Sequence, residues 1–234
     1  MGGGAAVDQS SGVTEATGEG AGRGGVQLVK HPLVEHHVTR MRRASTRSSE
    51  FRDLVRRLAA LMAYEATQDL PTKPIRVETP LGPAEGVQVR GRVGLVPILR
   101  AGLGMVDPVL DLLPMAEVWH LGLYRDEDTA QPVRYYDKLP AKRPVDVALI
   151  LDPMLATGGS ATAALMTLRE WGVPQVKVLS LIAAREGIDA VSLQFPEAQI
   201  YVCQIDPELN AQKFIVPGLG DAGDRIFNTI EPAD

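Results

Sequence analysis

Short apolar runs alternate with helix-like segments along most of the chain, and this alternation constrains the fold more than any other feature. Runs of strand length occupy Val93–Leu99, Val118–Leu123, Val147–Leu151, Val176–Ala183 and, more briefly, Ile200–Ile205. Helical character is found between them, in Leu103–Leu113, Ser160–Trp171 and Glu186–Phe195. Uninterrupted apolar strands are typical of parallel sheets that helices cover on both faces. The pattern predicts an α/β fold built on a mainly parallel, doubly wound sheet.

A helix and a hairpin precede this region. After Ser48-Ser49, apolar residues recur with the helical period, and the prolines that follow set the end of the helix near Asp69. Its arginines are most simply a solvated face, and an anion-binding or regulatory surface is the alternative. Within residues 75–90, Leu81-Gly82-Pro83 lies between β-prone segments, which predicts a β-hairpin as an attachment to the α/β architecture.

The N-terminal segment has a composition unlike the rest. Residues 1–25 hold nine of the chain's 23 glycines and few apolar side chains. Such a segment cannot bury enough apolar surface to offset the entropy of ordering it. We expect a disordered Gly-rich extension over 1–25 and one folded domain over 26–234. An added expression sequence or a misassigned start would give the same pattern.

Composition excludes several classes of protein. The net charge of −5 does not favour binding to nucleic acid or to an anionic membrane. No apolar run approaches the ~20 residues that span a bilayer, and the first residues have neither a basic start nor an apolar core, so we expect no membrane span and no secretory signal. The single cysteine, Cys203, excludes an internal disulfide framework and a multi-cysteine zinc site. The four histidines lack metal-ligand spacing, so we expect no structural metal, and we expect a cytoplasmic protein.

One segment has the composition of a phosphate-binding loop. Between an apolar strand and a helical segment lies the sequence Asp152-Pro153-Met154-Leu155-Ala156-Thr157-Gly158-Gly159-Ser160. Two hydroxyls, two glycines and the free N–H groups of a helix N-terminus can hold a phosphate dianion. Asp152 at the strand end can accept hydrogen bonds from sugar hydroxyls or lie near a metal-bound group. The alternative is a tight turn in which Ser160 is an ordinary N-cap. It is not a nucleotide-triphosphate P-loop, because the chain has no Gly-Lys pair.

Two arginines also follow predicted strands. Arg100 comes after Val93–Leu99, and Arg125 comes soon after Val118–Leu123. An arginine at such a place is costly to leave unpaired, so it is expected to meet an anion. For Arg100 the alternative is a salt bridge to a local carboxylate such as Asp107. Arg100, Arg125 and Asp152 could converge on one phosphate-rich ligand.

From about Gln27 to Thr229, the chain resembles the uracil phosphoribosyltransferase family. The resemblance rests on motifs that occur in the family's order: Lys30-His31-Pro32-Leu33-Val34, Ala63-Tyr64-Glu65-Ala66-Thr67, Val96–Met105, Asp152–Ser160 and Ile215–Asp224. It implies a type I phosphoribosyltransferase fold with a β-hairpin arm and a C-terminal hood. It also implies that 5-phosphoribosyl 1-diphosphate and uracil react to give UMP and diphosphate, in pyrimidine salvage, with Mg²⁺ on the diphosphate.

The resemblance also assigns roles to residues. Ala156–Ser160 would hold the 5′-phosphate, Asp152 would face the ribose hydroxyls, and Arg100 and Arg125 would meet the diphosphate. Ile215 and Gly220-Asp221-Ala222 would bind uracil, and Asp221 could also contact the phosphoribosyl substrate or help to accept the N1 proton. Pro153 stands where the wider superfamily usually has a second acid, as in the uracil enzymes, so Mg²⁺ is expected mainly on substrate oxygens and water, without direct protein ligands.

Family members form dimers or larger homo-oligomers, and some are activated by GTP, so both are expectations for this chain. Two other functions stay open at this point. Related folds bind RNA as regulators, although the acidic net charge and 5% aromatic content disfavour that function. A homologous domain could also bind the ligand without turnover, in which case it would bind UMP but release no diphosphate.

Overall fold

The computed structural model describes residues 24–125, 132–137, 139–140 and 142–229. The helices are α1 (Pro32–Arg42), α2 (Ser48–Ala66), α3 (Leu103–Leu112), α4 (Gly159–Trp171), α5 (Arg185–Gln194) and α6 (Ala222–Phe227). The strands are β1 (Gly25–Leu28), β2 (Thr72–Thr79), β3 (Gly82–Val89), β4 (Val93–Pro97), β5 (Glu117–Val118), β6 (Leu121–Arg125), β7 (Pro132–Asp137), β8 (Val147–Leu151), β9 (Met154–Leu155), β10 (Gln175–Ala184), β11 (Gln199–Asp206), β12 (Glu208–Leu209) and β13 (Ile215–Val216). The expected disordered segment falls, except for its last two residues, outside the described residues.

The main sheet is parallel throughout. Its strand order is β1-β11-β10-β8-β4-β5, and the short β9 also pairs with β10. Pro97 of β4 lies opposite Leu151 of β8, and Leu151 lies opposite Leu179 of β10. Because the strands are parallel and in this register, their carboxyl ends form one edge of the sheet, where the loops that follow them meet.

Helices cover both faces of the sheet. One apolar cluster packs α1, α2 and α3 against the sheet, with Phe51, Leu58 and Met105 fully buried. The second cluster packs α4 and α5 against the other face through residues such as Leu168 and Val191. Continuous apolar strands need cover on both sides, and this arrangement supplies it. The predicted doubly wound α/β fold is confirmed.

The predicted helix and hairpin are present. The helix after residue 47 is α2, which ends at Ala66, slightly before the predicted end near Asp69. The hairpin is β2–β3, paired from Thr72↔Val89 to Thr79↔Gly82. Its contacts are mostly between its own two strands, so it is an arm outside the main sheet. Among the described residues, no helix is long and apolar enough to cross a membrane.

One predicted strand is wrong. The run Val118–Leu123 is divided between β5, which pairs with β4, and β6, which pairs antiparallel with β7 in a separate two-stranded sheet. Only an isolated bridge between Ile98 and Leu121 links β6 to the main sheet. Val118 is half-buried in β5 and Leu121 is fully buried in β6, yet the chain changes sheets between them, at Trp119-His120. The local sequence pattern does not separate the two halves, because both contain apolar residues although they belong to different sheets.

Candidate active site at the carboxyl edge of the sheet

The loops after β4 and β8 lie side by side. The two strands pair in parallel through Pro97↔Leu151, and the Ile98 N–H donates to the Leu151 carbonyl oxygen at 3.0 Å. The structure therefore brings the segment that carries Arg100 next to the segment that begins at Asp152. Ligands of open α/β sheets bind at this edge, so the predicted location of the site is physically reasonable.

The loop at 156–160 enters α4 without a side-chain cap. Gly158 is the N-cap, with φ of 83°, and no side chain caps the helix. The interpretation of Ser160 as an ordinary N-cap is therefore wrong, because Ser160 lies inside the first turn. A Cβ on residue 158 would lie 2.9 Å from the Gly187 carbonyl oxygen, so both backbone conformation and space require glycine there. First-turn N–H groups have no intrahelical acceptor and remain available to an anion.

Asp152 is a carboxyl group in an environment that favours its neutral form. The residue is mostly buried at the strand end, and its Oδ1 accepts a hydrogen bond from the Met154 N–H at 3.4 Å. Burial of the carboxyl raises its pKa to about 7, and the Met154 hydrogen bond acts in the opposite direction. A hydrogen-bond donor or a cation from a ligand would favour the charged form.

Arg100 is paired with the C-terminal segment. Its Nη2 donates to Asp224 Oδ1 at 3.0 Å and its Nη1 lies 3.4 Å from Thr229 Oγ. The Thr229 hydroxyl and then Arg100 hold the pKa of Asp224 below its ordinary value. The alternative salt bridge to Asp107 is wrong, because that carboxylate pairs with Arg56 at 3.4 Å. Arg100 is mostly exposed, so a ligand can reach it.

The C-terminal segment folds over the same edge. Ile215 is buried in β13, which pairs with β12. Asp221 is the N-cap of α6, and its Oδ1 accepts from the Asp224 N–H at 2.8 Å. A Cβ on Gly223 would lie 3.1 Å from Asp221 Oδ1 and 3.5 Å from Arg100 Nη2. The side chains of Asp221 and Arg100 therefore both lie beside Gly223. The predicted base-binding segment thus lies next to the loop that follows β4.

Arg125 differs from the other predicted residues. It is the last residue of β6, so it ends a strand of the separate hairpin and not of the main sheet. Its side chain lies outside the described part of the structure. Its expected contact with the diphosphate stays a prediction.

Three neighbouring residues were missed by the sequence analysis. Arg42, at the end of α1, forms a bidentate ion pair with Asp206, the last residue of β11. Arg225 of α6 is buried and donates only to backbone carbonyls in its described hydrogen bonds. Asp206 follows the apolar run Ile200–Ile205 directly, so its position at a strand end was a usable signal. Nothing in the local sequence marks Arg42 or Arg225 among the other arginines.

Other chemistry at this edge is limited. Among the described residues, no group of three or more His, Cys, Asp or Glu side chains could hold a metal ion. Burial raises the pKa of the Cys203 thiol to about 12, so it is not an activated nucleophile. A cavity of about 560 Å³ lies beside Gln175 and Gln199, at the amino ends of β10 and β11, on the far side from these loops.

Comparison with known proteins gives one consistent result. The family model described as "Uracil phosphoribosyltransferase" matches residues 28–229. A protein of that name from Roseiflexus sp. (strain RS-1) is 57% identical over 204 residues, covering 87% of this chain and 98% of that protein. Another from Halalkalibacterium halodurans is 51% identical over 205 residues, with the same coverage. The solved structure of the AQ2163 protein from Aquifex aeolicus is 35% identical, with a TM-score of 0.81, covering 86% of this chain and 97% of that one.

Proposed function

The chain belongs to the uracil phosphoribosyltransferase family, and on that premise we propose how its strand-end site carries out the reaction. The protein is a pentosyltransferase that transfers the phosphoribosyl group of 5-phosphoribosyl 1-diphosphate to N1 of uracil, giving UMP and diphosphate. The main support for this site is that three segments meet at the carboxyl edge of the main sheet. These are Arg100 after β4, Asp152–Ser160 after β8, and Ile215–Asp224, which contacts Arg100 through Asp224.

The loop Ala156-Thr157-Gly158-Gly159-Ser160 binds the 5′-phosphate. Support comes from the uncapped start of α4, where backbone N–H groups and the positive end of the helix dipole favour a dianion. The hydroxyls of Thr157 and Ser160 add two donors. Pro153, Met154 and Leu155 connect this loop to the strand end, and β9 pairs Met154 and Leu155 with β10, which keeps the connection rigid.

Asp152 accepts hydrogen bonds from the ribose hydroxyls. Its only hydrogen bond to the side chain in the described structure is the long one from Met154, so it has acceptor capacity to spare. The donor set fits a Mg²⁺ that is carried by the substrate, because one carboxylate is available at this strand end and no cluster of ligands surrounds it among the described residues. When bound, Mg²⁺ neutralises charge on the diphosphate.

Arg100 and Arg125 stabilise the diphosphate as it leaves. The C1–O bond breaks and its electron pair goes to the diphosphate oxygen, while C1 gains oxocarbenium character. Fixed positive charges stabilise the charge that grows on the leaving group. The exposed Arg100 guanidinium is held by Asp224 and Thr229, which limits its freedom before the diphosphate arrives.

The loop at Ile215 and Gly220-Asp221-Ala222 binds uracil through backbone groups. Uracil presents a carbonyl, an N–H and a second carbonyl, and a loop that pairs them rejects cytosine, whose groups are exchanged, at ~1–3 kcal/mol for each unmade hydrogen bond. N1 attacks C1 and its proton leaves. Asp221 contacts the phosphoribosyl substrate or accepts this proton, since its carboxylate is exposed and its Oδ2 makes no hydrogen bond in the described structure.

The test is UMP and diphosphate formation from 5-phosphoribosyl 1-diphosphate with Mg²⁺, with uracil, cytosine, orotate or hypoxanthine as the base. We expect UMP from uracil alone. Running the assay with and without GTP tests the expected allosteric activation, which rests on the family resemblance. If no base reacts in either condition, the proposed catalysis is wrong. UMP binding without diphosphate release would then indicate a non-catalytic ligand domain, and RNA binding would indicate a regulator.

The protein also forms a homodimer or a larger homo-oligomer. Support comes from the β2–β3 arm, whose exposed apolar residues include Val77, Leu81 and Val87, and which packs little against the rest of the chain. A two-stranded hairpin is marginally stable by itself in water, so a second copy of this chain is its natural partner. We place the enzyme in the cytoplasm, where a single buried thiol, Cys203, stays reduced.

A further inference from the structure

Both backbone groups of Gly218 are bound by one ion pair. The Gly218 N–H donates to Asp206 Oδ2 at 3.0 Å, and the Gly218 carbonyl oxygen accepts from Arg42 Nη1 at 2.9 Å. The two side chains also bind each other, with Arg42 Nη1 at 2.8 Å from Asp206 Oδ2 and Arg42 Nη2 at 2.5 Å from Asp206 Oδ1. The loop is thus tied at one residue to the end of α1 and to the end of β11.

The turn at Gly218 is tight. Its φ is 57°, and a Cβ there would lie 2.0 Å from the Ile215 carbonyl oxygen. The groups that we propose for uracil lie just before this turn, at Ile215, and just after it, at Gly220–Ala222. A shift of Gly218 therefore moves both halves of the base-binding loop relative to each other.

A second arginine binds the next carbonyl. Arg225 Nη1 donates to the Leu219 oxygen at 2.7 Å and to the Met41 oxygen at 2.8 Å, and its guanidinium lies 4.3 Å from the centre of the Phe51 ring. Consecutive carbonyls of the loop, those of Gly218 and Leu219, thus point at two different arginines. Both arginines connect the loop to the end of α1.

The ion pair between Arg42 and Asp206 is largely buried, and a contribution to stability alone does not explain why charged side chains occupy this place. The Asp206 side chain is 3% exposed and the Arg42 side chain is 21% exposed. Replacing a buried ion pair by packed apolar side chains is often neutral or stabilising, because both charges must lose their water. Apolar side chains could fill this space, but they could not hold the N–H and the carbonyl of Gly218.

We propose that Arg42 and Asp206 are positioning residues that set the uracil specificity of the enzyme by holding the loop at Gly218. This inference rests on the proposed role of the loop in uracil binding. Neither residue touches the substrates in this scheme. The two side chains keep the backbone donors and acceptors on both sides of Gly218 at the spacing of the hydrogen-bonding edge of uracil. A loop that binds the base through its backbone needs this spacing before the base arrives.

The test compares Arg42→Met and Asp206→Asn with wild type in steady-state kinetics. We expect KM for uracil to rise about 10- to 100-fold, because small misplacements of binding groups have effects of that size. KM for 5-phosphoribosyl 1-diphosphate should change less than about twofold, and the preference for uracil over cytosine should fall. Arg40→Met is the matched control: Arg40 lies on the same helix and pairs with Glu50, away from the loop.

A structural effect is separated from positioning by two further variants. Arg42→Met/Asp206→Leu replaces both charges with apolar side chains. It should be more thermally stable than Arg42→Met and Asp206→Asn, while its KM for uracil should stay above that of wild type. Arg42→Lys keeps the charge but cannot span two carboxylate oxygens and a carbonyl in a fixed plane, so it should keep the defect. If Arg42→Met and Asp206→Asn do not fold, the apolar pair and Arg42→Lys carry the test.

The outcomes are distinct. Unchanged KM for uracil in folded variants, or equal rises in both KM values, would overturn the positioning role. Recovery of the KM for uracil by the apolar pair would overturn it as well. If wild type itself makes no UMP from uracil, the proposed function has failed and not this inference, so the wild-type assay comes first.

Discussion

At the scale of single residues, Asp152 has the most unusual environment at the site. Its pKa is raised to about 7 by burial, so the folded protein keeps a proton that the unfolded chain releases above the ordinary value near 3.8. Below that value both states are protonated and burial of the carboxyl has no charge cost. As the pH rises to about 7 the cost grows to an upper limit of about 4 kcal/mol.

Asp152→Asn removes this cost, because the amide does not ionise. We expect the variant to melt at a higher temperature than wild type, by a margin several degrees larger at pH 8 than at pH 5. The measurement is thermal unfolding at both pH values. Asp107→Asn, at an exposed carboxylate, is the control and should show no such difference. A margin that is the same at both pH values would contradict the raised pKa.

Asp221 combines a structural and a proposed chemical role. As the N-cap of α6 it accepts from the Asp224 N–H, and asparagine is an equally good N-cap. Asp221→Asn should therefore fold like wild type while losing activity by roughly 100-fold or more, if the carboxylate acts on the proton or the substrate. Asp221→Ala should lose the same activity and also ~1 kcal/mol of stability. Near-native turnover of Asp221→Asn would remove this residue from the mechanism.

At the scale of elements, the start of α4 depends on one glycine. Gly158 has a positive φ and lies close to the Gly187 carbonyl on α5, so loop and helix fit together only without a Cβ. The same geometry leaves the first-turn N–H groups without a side-chain cap and open to the phosphate that we propose they bind. Gly158 is therefore needed both for the conformation of this segment and for the binding of phosphate that we propose.

Gly158→Ala should lower the free energy of unfolding by about 1–2 kcal/mol through the backbone conformation alone. It should also raise KM for 5-phosphoribosyl 1-diphosphate, since relief of the close contact must move the loop. Thermal melts and steady-state kinetics measure the two effects. Gly25→Ala is the control, because an added Cβ there meets nothing within 4 Å and φ is not positive. Unaltered kinetics in a destabilised variant would exclude the loop from phosphate binding.

At the scale of the whole molecule, the β2–β3 arm is incomplete by itself. Val77 is 42% exposed on one of its faces and Val87 is 70% exposed on the other. Among the described residues, neither face packs extensively against another element. A second copy of the chain would bury this apolar surface and stabilise the arm.

Val77→Lys and Val87→Lys place a charge on each face in turn. We expect wild type to sediment as a dimer or larger assembly and at least one variant to dissociate, because a lysine ammonium is costly to bury in an apolar interface. Sedimentation velocity over a range of concentrations is the measurement. Leu193→Lys, on the exposed surface of α5, controls for added charge alone. Assemblies of unchanged mass in both arm variants, or a monomeric wild type, would contradict the proposal.

The amino-acid sequence by itself predicted strands β4, β8, β10 and β11 of the main sheet, most of its helical cover, and the position of the segment Asp152–Ser160 after β8. The apolar run Val147–Leu151 matches β8 residue for residue, and the glycine and hydroxyl pattern after it is local. The reaction was predicted from the motifs that the chain shares with its family. Such features are readable because strand burial and loop conformation impose their requirements on consecutive residues.

The tertiary structure decided the partners of charged groups. Lys177 stands in an apolar strand and is fully buried, where its Nζ donates to the Ala66 carbonyl oxygen at 2.6 Å and pairs with Asp69. Arg42 and Asp206 are far apart in sequence, and Arg100 pairs with Asp224 and not with the nearer Asp107. A buried charge such as that of Lys177 or Asp206 needs specific partners. Which partners these side chains and the more exposed Arg100 meet depends on the folded arrangement of distant segments.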